Sequence, residues 1–116
     1  MTVLVAGTST NEGLAAHRFA VGEAARRGEE VLYFVLSGDR PDPAVASTAG
    51  VTEEYAGPDA RGHDAVGDLL DTAGQVDASV IVVGVRHRSP VGKFLLGSVA
   101  QQVILEARAP VICVKP

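Results

Sequence analysis

Tryptophan is absent, and the only aromatic rings besides histidine are two tyrosines and three phenylalanines. At 4% aromatics the chain has no platform on which bases could stack. Positive charge is also short. Lys and Arg number 10 against 14 Asp and Glu, a formal net charge of −4, which excludes the basic face that general nucleic-acid binding needs. There is one cysteine, Cys113, so no disulfide or cysteine–metal framework is available, and a reducing compartment is expected. Within the apolar "VICV" it reads as a buried core residue. No apolar run approaches the roughly 18 residues of a membrane span. The opening "MTVLVAG" lacks a basic leader region and a cleavage site, so it reads as a first strand rather than a signal peptide. A cytoplasmic protein with no membrane and no nucleic-acid partner is therefore expected.

What is present suits one globular domain over residues 1–116, with 47% hydrophobic and 21% charged residues. Apolar runs and helical faces alternate along it. Val3 to Ala6 is a short strand, followed by the turn composition "GTSTNEG". Ser9 and Glu12 fit a capping box for a helix running to Arg27. Its small and apolar face is Gly13, Ala16, Ala20, Val21 and Ala24, and Gly28 suits its stop. His17 falls at the edge of that face, with its polar side expected in solvent. "EVLYFVLS", Glu30 to Ser37, reads as a strand buried on both sides, as in a parallel sheet. A loop rich in Gly and Pro leaves room for one helical turn near Ala44 to Thr48. Val51 to Tyr55 suggests a strand at or near an edge. A helix over Ala65 to Ala73 and a strand over Ser79 to Val83 follow. The last helix opens at Gly97 and Ser98, with Ser98 and Gln101 as a second capping box. Val99, Val103, Leu105 and Ala107 supply its apolar contacts. Ala109-Pro110 stops it, and Val111 to Val114 is the final strand. The alternation implies an α/β domain with an open, mainly parallel sheet and helices on both faces.

In such sheets ligands bind beyond the carboxyl ends of the strands. Two loops qualify: Gly7 to Gly13, and Val85 to Gly97. The second has the richer chemistry. Gly84 lets the chain leave its strand, and Gly97 lets a ligand approach a helix start. The free N–H groups of Ser98, Val99 and Ala100 lie at the positive end of that helix, which suits an anion. Ser98 adds a hydroxyl, and Arg86, His87, Arg88 and Lys93 add positive charge. The same residues also fit a solvated basic loop with no ligand. "SPVGKF" is not a P-loop, because Gly84 is too far from Gly92-Lys93 and Phe94 stands where a magnesium-holding hydroxyl belongs. His17, His63 and His87 lack metal-ligand spacing, and Ser89 and Ser98 have no evident base. Asp59, Asp64, Asp68 and Asp71 read as a solvated face or as support for a helix start. No metal site and no catalytic group is expected.

At this loop the sequence resembles the universal stress protein family. The family motif is Gly, two residues, Gly, nine residues, Gly, then Ser or Thr. Gly84 is its first glycine here, and Gly97-Ser98 close it at the right distance. "SVIVVG", "GSVAQQVILEARAPVICVKP" and "AAHRFAVGEAARRGEEVLYFVL" resemble the family's elements on either side and at the start. The resemblance implies a five-stranded parallel sheet of order 3-2-1-4-5, like that of the adenine-nucleotide alpha-hydrolase folds. That order brings the two candidate loops to one site. Three positions depart from the pattern. His87 stands at the middle glycine, Thr8 stands where nucleotide-binding members carry an acidic residue at the ribose, and the segment after the second strand is short, so the second helix is reduced.

The function so implied is a stress-linked regulatory module binding an adenine nucleotide, ATP, rather than an enzyme. Gly84, Arg86, His87, Arg88, Gly97, Ser98, Val99 and Ala100 would serve the phosphates. Ala6 and Thr8 would lie by the nucleoside, and Leu36 would pack on adenine. The alternative is a dimeric interaction protein without nucleotide, in which the glycine loop is structural. A slow ATPase is the weakest reading, since no general base is evident. A homodimer through the C-terminal strand is expected from its place at a sheet edge.

Overall fold

A computed structural model describes residues 1–59, 64–86 and 97–116. His63, His87, Arg88, Ser89 and Lys93, named above, lie outside the described residues. The elements are β1 (Thr2–Gly7), α1 (Asn11–Arg27), β2 (Glu30–Val35), α2 (Pro43–Thr48), β3 (Glu53–Ala56), α3 (Ala65–Gln75), β4 (Ala78–Gly84), α4 (Ser98–Glu106) and β5 (Val111–Val114). All strand pairs are parallel, in the order β3-β2-β1-β4-β5. The expected order and the shortened second helix, α2, are both found.

The sheet core follows from alternation along the central strand. Side chains of successive strand residues point to opposite faces. Val3 and Val5 of β1 join Val31, Tyr33, Val80 and Val82 on one face, under Ala16, Ala20, Val21 and Ala24 of α1. Leu4 and Ala6 join Leu32, Phe34, Ile81 and Val83 on the other, under Val66 and Leu69 of α3 and Ala100 and Val103 of α4. Burial on both faces explains the nearly unbroken apolar reading of β2 and β4. Each fully buried Leu or Phe, such as Leu4, Leu69 and Phe34, contributes about 1.5–3 kcal/mol from lost contact with water.

Several local expectations need correction. Thr10, not Ser9, caps α1: its side chain accepts from Gly13 N at 3.1 Å. Ser9 Oγ instead accepts from Asp39 N at 3.2 Å, so it ties the loop after β1 to the loop after β2. No capping box forms at α4 either. Gly97 is the N-cap residue, Ser98 is the first helical residue, and α4 has no side-chain cap. β2 ends at Val35 and not Ser37, because the Leu36 and Ser37 N–H groups both turn onto Gly7 O, at 2.9 and 3.3 Å. β3 starts two residues later than expected, at Glu53. Leu105 is 74% exposed. It follows buried Val103 by two residues, about 200° round a helix, which turns it outward. Cys113 is exposed, since β5 is an edge strand with only β4 beside it.

Candidate functional site

The chain passes from β1 to β2 and β3 on one side, then crosses back to place β4 on the other side of β1. The strand order therefore reverses between β1 and β4. At such a reversal the two connections leave in opposite directions and a crevice opens beyond the strand ends. Thr8 and Thr10 lie on the β1 side of this crevice, Arg86 on the β4 side, and α4 begins with its N-terminus among the same connections.

Gly84 and Gly97 differ in what demands them. A Cβ on Gly84 would overlap the backbone carbonyl of Glu12 in the first turn of α1. The glycine thus permits β4 and α1 to meet, and packing alone accounts for it. Gly97 has φ +84° and ψ 156°, a conformation nearly reserved for glycine. A Cβ there would touch nothing within 4 Å among the described residues. Gln101 N donates to Gly97 O at 3.1 Å. Among the described residues no acceptor meets the preceding N–H groups, of Ser98, Val99 and Ala100. Ser98 is exposed, Val99 half-buried and Ala100 buried, so the latter two can reach a ligand only through their backbone.

The other expected residues that the structure describes differ in exposure and in what they touch. Thr8 is half-buried, and its Oγ1 lies 2.7 Å from Thr10 Oγ1. Leu36 is half-buried and packs on the α3/α4 side of the core. Ala6 is 2% exposed within that core, so its methyl is a packing group. Arg86 is exposed, with its Nε 4.0 Å from Glu12 Oε1, whose side chain is only 22% exposed. Glu12 escaped the sequence reading because its partner is distant in the chain, and its own position fits a helix start well enough to need no other explanation.

A second polar cluster lies away from this rim. His17 is buried, contrary to expectation, and its Nε2 sits 2.6 Å from Glu53 Oε2. Tyr55 Oη donates to Glu53 Oε1 at 2.8 Å, and the Arg40 guanidinium stacks 4.5 Å from the centre of the Tyr55 ring. Burial, reinforced by the hydrogen bond to Glu53, pushes the Tyr55 hydroxyl pKa above its ordinary value. Burial likewise raises that of Tyr33. Loss of water around the Cys113 thiol raises its pKa too, which disfavours the reactive thiolate. Of the four acidic residues near α3, Asp64 caps it, accepting from Gly67 N at 3.0 Å, and Asp68 accepts from Asp59 N at 3.0 Å. Among the described residues no group of three or more His, Cys, Asp or Glu side chains gathers as a metal site. No helix among them is long and apolar enough to cross a membrane.

Fold and rim together define a three-layered α/β domain with a helix starting near the switch point of its sheet. Residues 59–115 match the model of the universal stress protein family. A universal stress protein of Mycolicibacterium smegmatis is 39% identical over 129 residues, covering 98% of this chain and 98% of that one. The chain belongs to the universal stress protein family. Among solved structures, a universal stress protein from Archaeoglobus fulgidus is 33% identical with a TM-score of 0.76, covering 98% of this chain and 97% of that one. A universal stress protein from the same organism in complex with dAMP is 28% identical with a TM-score of 0.72, covering 98% and 96%.

Proposed function

We propose that this chain is a cytoplasmic regulatory module that binds an adenine nucleotide, with ATP as its ligand, in the crevice between β1 and β4. The observation that carries the reading is the start of α4. Among the described residues no side chain caps its first N–H groups, and none stands within 4 Å of a Cβ built on Gly97. Phosphate oxygens suit that terminus, through both the N–H donors and the helix dipole. Ser98 adds a hydroxyl and Arg86 a charge, with His87 and Arg88 contributing from the same loop. Leu36 offers an apolar surface to adenine, and Thr8 a hydroxyl rather than a carboxylate to the ribose. The dAMP complex of the Archaeoglobus relative supports the ligand class. The reading is one of binding and release, not turnover.

A second reading, a dimeric interaction protein with a structural glycine loop, is favoured by one observation. Gly84 is demanded by its contact with Glu12 whether or not a ligand is present. In both readings two copies pair through β5. The deciding measurement is displacement of a fluorescent ATP analogue by unlabelled ATP. The wild type is expected to bind displaceably. Gly97→Val is expected to lose binding while keeping its helical circular dichroism, because a branched side chain at φ +84° both strains the start of α4 and occupies the approach to it. Equal affinity of the two folded proteins would overturn the nucleotide reading, and the absence of displaceable binding would favour the second.

A further inference from the structure

Resting on the nucleotide reading, we infer that Glu12 sets the specificity of the site by competing with ligand phosphate for Arg86, so that the site discriminates by phosphate charge. Glu12 is held in place by its backbone beside the end of β4. Its backbone carbonyl is pressed against Gly84, at the carboxyl end of β4. Its side chain is 22% exposed, and its carboxylate faces the Arg86 guanidinium, with 4.0 Å between Oε1 and Nε. Arg86 is 66% exposed and follows β4 directly into the crevice. Without ligand, the guanidinium at the mouth of the site already has an anion beside it. An incoming phosphate gains Arg86 only by sharing it or by parting it from Glu12, and in either case it meets the negative charge of Glu12. The penalty grows with the charge of the ligand. It is nil for adenosine, appears with the roughly two charges of a phosphomonoester, and is larger for ADP and ATP. Glu12 therefore narrows the margin by which the site favours the triphosphate over mononucleotides and nucleosides.

The test is the affinity series adenosine, AMP, ADP and ATP, measured in EDTA for wild type, Glu12→Gln, Arg86→Gln and the double variant. Gln keeps the shape of Glu12 and its place in α1. Glu12→Gln is expected to tighten ATP by about two- to fivefold, the range of an exposed ion pair. AMP should tighten by less, and adenosine should not change. The ATP gain should vanish in the Arg86→Gln background and shrink as salt is added. A uniform change across the series, no change, or a gain that survives in Arg86→Gln would overturn the role of Glu12 while leaving nucleotide binding intact. Weaker ATP binding by Glu12→Gln would overturn it too. If wild type binds none of the four ligands, the underlying nucleotide reading falls, and this inference with it.

Discussion

His17 illustrates how far one residue can depart from its sequence context. Helical spacing places it at the margin of the α1 apolar face, where solvent is expected. The structure buries it, because Glu53 reaches across from the edge strand β3 to meet it at 2.6 Å. No local pattern encodes a partner 36 positions away. Removing His17 leaves buried Glu53 with the Tyr55 hydroxyl as its remaining partner. His17→Ala is expected to cost about 3–5 kcal/mol, a large share of the roughly 5–15 kcal/mol that holds a domain folded. The double variant His17→Leu/Glu53→Leu should recover part of the loss, since it removes both polar groups. Urea unfolding of the variants checks both statements. A cost for His17→Ala below that of an ordinary surface change would show the pair to be incidental. Cys113 and Leu105 were hidden for a related reason. Both are apolar residues in apolar surroundings, and only the position of β5 and the rotation of α4 turn them outward.

At the scale of elements, periodicity served well and the ends less well. Nearly continuous apolar runs marked β2 and β4, and the small face of α1 was the buried one. Caps were displaced by one residue because Ser and Thr stand side by side in "TST", and either hydroxyl suits a helix start. Which one serves depends on the loop after β2, which recruits Ser9. Close approach of elements is equally invisible in sequence. Gly84 lies against Glu12 of α1, whereas a Cβ on Gly74 in α3 would meet nothing within 4 Å. The same substitution should therefore have opposite signs. Gly84→Ala is expected to destabilise by at least about 1–3 kcal/mol through overpacking against backbone. Gly74→Ala is expected to stabilise by about 0.5–1 kcal/mol through helix propensity. Paired thermal melts of the variants test the contrast, and a shared sign would refute it.

For the whole molecule, alternation of strands and helices pointed to a parallel sheet, but the order 3-2-1-4-5 rested on family resemblance. No residue pattern states which strands become neighbours. The same holds for the site: its glycines were legible by spacing, but the Glu12–Arg86 pairing depends on strand order. Among the described residues that order leaves one side of β5 without a neighbouring strand, with its backbone groups able to pair with a second copy. Val114 leans on the α1 face of the core, so Lys there would disturb packing as well as pairing. Cys113 is exposed and is the cleaner probe. Light scattering is expected to give a dimer mass for wild type and to shift toward monomer for Cys113→Lys; a monomeric wild type at high micromolar concentration would end the β5 proposal. The order also bears on synthesis. Within this domain the central strand β1 is translated before its neighbours, and β2 can join it soon afterwards. Its other edge must wait until the ribosome has made Ala78–Gly84. The nascent chain therefore carries an apolar half-sheet with an open flank for most of its translation, the state in which a growing polypeptide most needs a chaperone.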